Sequence, residues 1–191
     1  AIAKVEKLPI QLICPSHGPL LRQEPMAAID SYRRWAAPPS SERPRALLVT
    51  LSPHGNTREM GDSVREGLES QGIEVVERRL SEITDAELRD ELERCDALAI
   101  GTPTINRDAP PPVWRALSLL STVTPKGKIG GVFGSFGWSG EAVKLVESRL
   151  TGLKYQMAAP GLFFRFHPTP ENIDACREFG RQLGEAIIAA R

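Results

Sequence analysis

The sequence predicts an α/β protein whose residues 45–191 form a five-stranded parallel sheet with helices on both faces. Three observations predict it. Short, near-continuous apolar runs (ALLVTL at 46–51, DALAIGT at 96–102, KIGGVFGSF at 128–136) read as strands covered on both faces. Each is followed by a stretch with helical spacing of its apolar residues. Capping and breaking residues separate the two kinds of element.

Taken in order, residues 1–44 form a leader ending at ICPSHGPLLR, then a connector in which Pro38, Pro39, Ser40, Ser41 and Pro44 read as exposed chain. The first strand is 46–51. The helix after it places Met60, Val64 and Leu68 four residues apart, and Gly72 closes it. The second strand is IEVVERRL, 73–80. A helix spans about 84–94, with Thr84 and Glu87 as a capping box. The third strand, 96–102, leads to a helix whose first turn holds prolines, where a missing N–H costs nothing. The fourth strand is 128–136, and the helix GEAVKLVESRLTGL follows. YQMAAPGLFF is predicted as one fifth strand, and the last helix runs from about Glu171 to Ala189.

Composition narrows the function classes. Hydrophobic residues make up 41% and charged residues 25%, as in an ordinary globular domain. The 24 Lys+Arg balance the 24 Asp+Glu, so charge does not point to nucleic acid or an acidic membrane surface. No apolar run approaches the ~20 residues that would span a bilayer. Lys4, Glu6 and Lys7 interrupt the opening apolar stretch, so it does not read as a signal peptide. The expectation is a cytoplasmic protein with no membrane insertion. Cys14, Cys95 and Cys176 are expected as reduced thiols. His17, His54 and His167 lie too far apart in sequence to suggest a complete metal site.

Ligands of open parallel sheets sit beyond the carboxyl ends of the strands. That directs attention to three loops. In SPHGNT, Ser52, His54, Gly55, Asn56 and Thr57 lie between a buried strand and a helix start, whose free N–H groups and partial positive charge suit a phosphate. Hydroxyl and amide side chains add donors. The pattern is neither GxxxxGK[ST] nor GxGxxG, which disfavours ATP, GTP and Rossmann dinucleotides. An ordinary turn with Thr57 as N-cap fits the same residues. In GTPTIN, Pro103, Thr104, Ile105 and Asn106 can place backbone groups against the edge of a flat heterocycle, or form a plain surface turn. In GSFGWSGEA, Ser135, Phe136, Gly137, Trp138 and Gly140 combine aromatic faces with glycines that let the loop close on a ligand; the alternative is that both rings turn inward and pack. A phosphate nest beside an aromatic clamp is what a flat phosphorylated ring needs, and FMN fits it. No nucleophile–base pair suggests hydrolysis, so no catalytic residue is assigned, and His54 is read as a hydrogen-bonding or rim residue.

Ser52-Pro53-His54-Gly55-Asn56-Thr57 resembles the flavodoxin phosphate loop at Ser52, Gly55 and Thr57, with His54 departing from it. GTPTINRDAPPPVW and FGSFGWSGEAV resemble the flavin-ring loops in the flavodoxin domain of flavodiiron proteins, also called A-type flavoproteins. The wording from Asp108 onward most resembles the multidomain members of cyanobacteria and other phototrophs. The resemblance implies a flavodoxin-like three-layer sandwich with strand order 2-1-3-4-5 over residues 45–191. For residues 1–44 it implies the tail of a metallo-β-lactamase-like diiron domain and a linker, with His17 as a metal ligand only in an intact parent. It further implies FMN as an electron relay from a flavin reductase domain to a diiron centre that reduces O2 or NO, in a parent that is a homo- or hetero-oligomer. In the phototroph branch, O2 reduction dissipates excess photosynthetic electrons. A flavin-free interaction module of the same fold is the rival, given weight by His54 and Pro53 in the phosphate loop, the proline removing one N–H from the nest. A phospho-acceptor regulator is discounted, because Thr50, Leu51 and Ser52 stand where acidic residues would be needed.

Overall fold

Along β1 (Arg45–Thr50) successive side chains point to opposite faces, and this alternation builds two cores. Leu47 and Val49 join one cluster and Ala46 and Leu48 the other, all essentially sealed from solvent. The computed structural model describes residues 2–36, 43–123 and 127–191. The connector residues Pro38, Pro39, Ser40 and Ser41 lie outside the described residues.

The elements after β1 are α3 (Asn56–Ser70), β2 (Glu74–Arg79), α4 (Asp85–Arg94), β3 (Ala97–Pro103), α5 (Pro111–Leu119) with a 3-10 turn at Leu120–Thr122, β4 (Ile129–Phe136), α6 (Glu141–Gly152), β5 (Gln156–Met157), β6 (Leu162–Arg165) and α7 (Pro170–Ala189). All strand pairs are parallel, in the order β2-β1-β3-β4-β5, with β6 also on β4. Leu88 and Leu92 of α4, Val113 and Leu117 of α5 and Val146 of α6 cover one face. Met60, Val64 and Leu68 of α3 and Phe179, Leu183 and Ile187 of α7 cover the other. The result is the expected three-layer sandwich.

The sequence signals for helix ends hold in detail. The Thr84 hydroxyl accepts from the Glu87 N–H, and the Thr84 N–H donates to the Glu87 carboxylate at 3.0 Å. Gly72, at φ +75°, closes α3 in the left-handed conformation. The single fifth strand does not hold: β5 and β6 are separate segments on the same neighbour. Pro160 lies between them and cannot donate to the ladder, while the Gly161 N–H turns aside to the Glu147 carboxylate at 3.0 Å.

On the second face, α3 and α7 pack glycine to glycine. A Cβ at Gly67 would lie 2.1 Å from the Arg177 carbonyl, and one at Gly180 would lie 2.1 Å from the Val64 carbonyl. Only hydrogen at both positions permits that approach.

Contacts divide the chain into two units, Ala1–Ser40 and Ser41–Arg191. The first holds α1 (Ile2–Val5), α2 (Pro25–Ala36) and an antiparallel bridge between Ile13 and Leu21. That bridge brackets His17, which is exposed. Arg33 of α2 pairs with Glu6. Among the described residues, no helix is long and apolar enough to cross a membrane, and no three His, Cys, Asp or Glu side chains gather where they could hold a metal ion.

Candidate functional site

Strand register brings the singled-out loops together. Thr50 at the end of β1 is level with Gly101 of β3, Pro103 at the end of β3 pairs with Ser135 of β4, and Phe136 pairs with Arg165 of β6. The loops following β1, β3, β4 and β6 therefore open on one edge of the sheet.

The loop after β1 turns into α3 through Gly55, whose φ of +89° is left-handed. The helix has no side-chain cap of its own. Instead the Arg58 N–H donates to Ser52 Oγ at 3.0 Å, six residues back. Among the described residues, no protein acceptor meets the N–H groups of Asn56 or Thr57. Both amides stand at the positive end of a 15-residue helix. Thr57 is not the N-cap that an ordinary turn would use. It is buried, 1% exposed, and its hydroxyl lies 2.9 Å from the Ser135 hydroxyl of β4. That bond ties the first loop to the fourth strand.

The loop after β3 is a tight reversal. Ile105 and Asp108 exchange backbone hydrogen bonds, and Asn106 and Arg107 between them have φ of 52° and 62°, the pattern of a type I′ turn. The Thr104 N–H donates to the Ser135 carbonyl at 3.0 Å. The Thr104 hydroxyl accepts from the Ala142 N–H at 3.3 Å, serving α6, whose own N-cap is Gly140. Asp108 Oδ1 accepts from the Ala109 amide at 2.7 Å and the Trp114 indole at 3.0 Å, locking the turn to α5.

These loops enclose a cleft of about 280 Å³. Ser52, Pro53, His54, Asn56 and Thr57 line it from the first loop; Pro103, Thr104 and Ile105 from the second; Ser135, Phe136 and Gly137 from the fourth strand; and Phe166 from the segment after β6. Ten of the sequence-selected positions thus share one cavity. Gly55 shapes the loop from behind. Asn106 sits exposed at the turn tip. Gly140 lies under the Phe136–Phe163 pair, where a Cβ would come within 2.9 Å of Phe163. Trp138 is 91% exposed and does not line the cleft. Phe136 is half-buried with its ring 5.9 Å from that of Phe163. The two aromatics of one motif therefore part ways, one toward the protein and one toward solvent.

The electrostatics suit an anion without a lysine in the loop. A smaller depression of about 140 Å³ shares Ser52 with the cleft and is lined by Arg58, Arg79 and Glu82, with Arg79 paired to Glu82 at 3.1 Å and Arg58 the remaining cation. His54 is exposed at the rim, and the nearby Glu59 carboxylate faces His167, 3.5 Å away. At the start of α6 the Ser139 hydroxyl, together with its own amide, holds the Glu141 carboxyl below the usual carboxylate range. A larger groove of about 510 Å³ lies between β2 and α4, but its walls are ion-paired Arg and Glu side chains, among them Arg78–Glu91, and none of the selected residues line it.

Phe166 was not selected from the sequence. The available signal was an aromatic residue just past the carboxyl end of the last strand, in RFHP.

The family model described as Flavodoxin matches residues 48–180. The type A flavoprotein fprA of Rhodobacter capsulatus is 38% identical over 98% of this chain and 44% of its own length. A protein of Nostoc described as a diflavin flavoprotein is 31% identical over 100% of this chain and 34% of its own length. Among solved structures, a metal-soaked flavodiiron core from Synechocystis superimposes with a TM-score of 0.75 at 28% identity, covering 100% of this chain and 47% of that one. The flavodiiron protein of Giardia intestinalis gives 0.76 at 28% identity, covering 99% and 48%. The chain spans less than half the length of each of these relatives.

Proposed function

We propose, from the premise that this chain belongs to the flavodoxin family, that it holds one FMN non-covalently and passes electrons through it. Flavodoxin membership and the flavoprotein relatives imply FMN as the cofactor. The observation that carries the reading is the pair of unengaged amides of Asn56 and Thr57 at the start of α3, opening directly onto the cleft between the strand ends.

The donor set fits the group. Two amides, the Ser52 hydroxyl and the Asn56 side chain can hold a phosphate dianion through dipoles, with the α3 N-terminus behind them. Pro103, Ile105, Phe136 and Phe166 offer apolar walls to a fused ring. FMN when bound supplies reversible electron carriage. The residues of this chain anchor the phosphate, orient the ring and shield one side of it from water. An edge of the ring left outside the cleft would be accessible to a donor or acceptor.

The wider reading is that the chain relays electrons from a flavin reductase domain to a diiron centre that reduces O2 or NO, within a homo- or hetero-oligomeric flavodiiron protein. It is supported by likeness to the type A flavoprotein of Rhodobacter and the flavodiiron core of Synechocystis. In that reading residues 1–44 are the end of the diiron domain and a linker, and His17 is one of that domain's ligands. Pro53 favours a second reading, a flavin-free module, since it removes one N–H from the nest.

The test is uptake. Flavin-free protein mixed with FMN, riboflavin or FAD and then gel-filtered is expected to retain FMN, and to hold riboflavin more weakly for want of the phosphate. Protein that emerges colourless from all three would overturn the reading in favour of the flavin-free module.

A further inference from the structure

We propose that the small depression beside the cleft is a second anion site, built for one tetrahedral oxyanion of the phosphate class, with Thr50 and Arg58 as its principal donors. It is separate from the seat of the FMN phosphate and stands whether or not the cleft holds flavin. Thr50, Ser52, Arg58, Arg79, Ser81 and Glu82 line it, and of these only Ser52 also lines the cleft. A volume of about 140 Å³ admits one such anion and is too small for a nucleoside.

Strand geometry explains why these groups converge. Thr50 ends β1 level with Arg79, which ends β2, so the two side chains share the sheet face that α3 covers. Ser52 follows two residues after Thr50, and the first turn of α3 brings Arg58 to the same edge, its N–H bonded to Ser52 Oγ at 3.0 Å. Thr50 is 2% exposed, yet among the described residues its hydroxyl meets no hydrogen-bond partner. Its methyl is turned toward α3 and β3, 3.1 Å from a Cβ placed at Gly61 and 3.0 Å from one at Gly101. That leaves the hydroxyl on the side of β2, where the depression lies. A buried hydroxyl without a partner is costly, and it marks a place where a ligand or a water supplies the missing bond.

The charges select the ligand. Arg79 pairs with Glu82 at 3.1 Å, so that couple is neutral as a unit. Arg58 has no ion pair among the described residues and gives the depression its net positive charge. The hydroxyls of Thr50, Ser52 and Ser81 add neutral donors, and Ser52 Oγ, which accepts from the Arg58 amide, keeps its own proton to donate. A metal cation would meet one carboxylate, already paired, and two guanidiniums. All six lining residues are polar, which disfavours an apolar guest. The oxyanion is either free phosphate or the second phosphate of a flavin dinucleotide whose first sits at the Asn56 and Thr57 amides. Ser52, common to both cavities, is where such a link would pass.

The experiment is calorimetric titration of FMN-loaded protein with inorganic phosphate at fixed ionic strength, with the cleft already filled, alongside thermal melts of each variant. One saturable phosphate per chain is expected. Arg58→Ala should weaken it about tenfold, and Arg58→Lys, which keeps the charge but not the fork, should recover part of that. Thr50→Val keeps the shape and removes the hydroxyl; phosphate should bind about fivefold more weakly, with the melting temperature unchanged or raised. A hydroxyl that served only the fold would lower the melting temperature and leave phosphate alone. Arg94→Ala, in a cation that does not line the depression, should change nothing. FAD separates the two sources. Uptake of FAD that weakens in Thr50→Val assigns the site to the second phosphate of a dinucleotide; FAD that is refused or indifferent to the substitution, with phosphate bound beside FMN, assigns it to the free anion. No saturable phosphate together with FAD indifferent to both substitutions would overturn the proposal, as would phosphate uptake equal in wild type and both variants, or a loss confined to Arg58→Ala, which is the screening effect of one surface cation. A chain that takes up no FMN fails the reading of the cleft alone: phosphate binding by flavin-free protein is still read through Thr50→Val, since Thr50 does not line the cleft.

Discussion

Thr57 joins the two halves of the site. It lines the cleft from the first turn of α3 with its N–H unmet by a protein acceptor among the described residues, and its buried hydroxyl meets that of Ser135. Thr57→Ala leaves the Ser135 hydroxyl without this partner and is expected to cost about 1–2 kcal/mol of stability, read from a denaturant midpoint. It should also weaken FMN by about tenfold while changing riboflavin less, because the side chain acts on the phosphate end; Thr57→Ser should recover both. Gly55→Asp combines a side chain at φ +89° with a negative charge beside the anion, and is expected to abolish measurable FMN uptake. The strand–loop–helix setting of Ser52, Gly55 and Thr57 was legible in the sequence, where an apolar run gives way to hydroxyls and a glycine before a helical stripe, a pattern that an ordinary capped turn fitted as well. The place of Phe166 in the cleft was not: it depends on the pairing of β6 with β4 and on one left-handed dihedral, neither of which leaves a periodic trace.

At the scale of elements, α3 is held at its working position by α7. The crossing of Gly67 and Gly180 allows a backbone approach that a single methyl would prevent. Gly180→Ala must separate the helices, and a destabilisation of about 1–3 kcal/mol is expected in thermal or chemical unfolding. Since the same displacement moves the N-terminus of α3, FMN affinity should fall with it, whereas Gly152→Ala, at a position with open space around it, should leave both unchanged. Helix ends were readable from local chemistry, as the Thr84–Glu87 box illustrates. The break between β5 and β6 was hidden, because the apolar run continues across Pro160 and its consequence is a hydrogen bond to Glu147 on another element.

For the molecule as a whole, buried titratable groups set an alkaline limit. Burial pushes the thiols of Cys95 and Cys176 up from 9.0 to about 12, and the phenol of Tyr155 up from 10.0 to about 12. The folded chain keeps these protons after the unfolded chain has released them. Their contribution to stability is therefore intact below pH 9 and declines as pH rises toward 12. Lys128, lowered by burial, acts in the opposite sense, so the thiols and phenol carry the net fall. Unfolding midpoints are expected to drop progressively above pH 9, and thiol reagents at neutral pH should label exposed Cys14 while sparing Cys95 and Cys176. Alternation of apolar runs with helical stripes was enough to read a parallel three-layer sandwich. The strand order was not in that periodicity, since hydrogen-bonded neighbours such as β1 and β3 are separated by a whole strand and two helices. That order is what gathers the loops after β1, β3 and β4 around one cleft. A crystal structure of the chain grown with FMN tests this most directly. The phosphate is expected within hydrogen-bond reach of the Asn56 and Thr57 amides with the ring in the cleft between the strand ends; flavin bound elsewhere, or no flavin density at the N-terminus of α3, would contradict it.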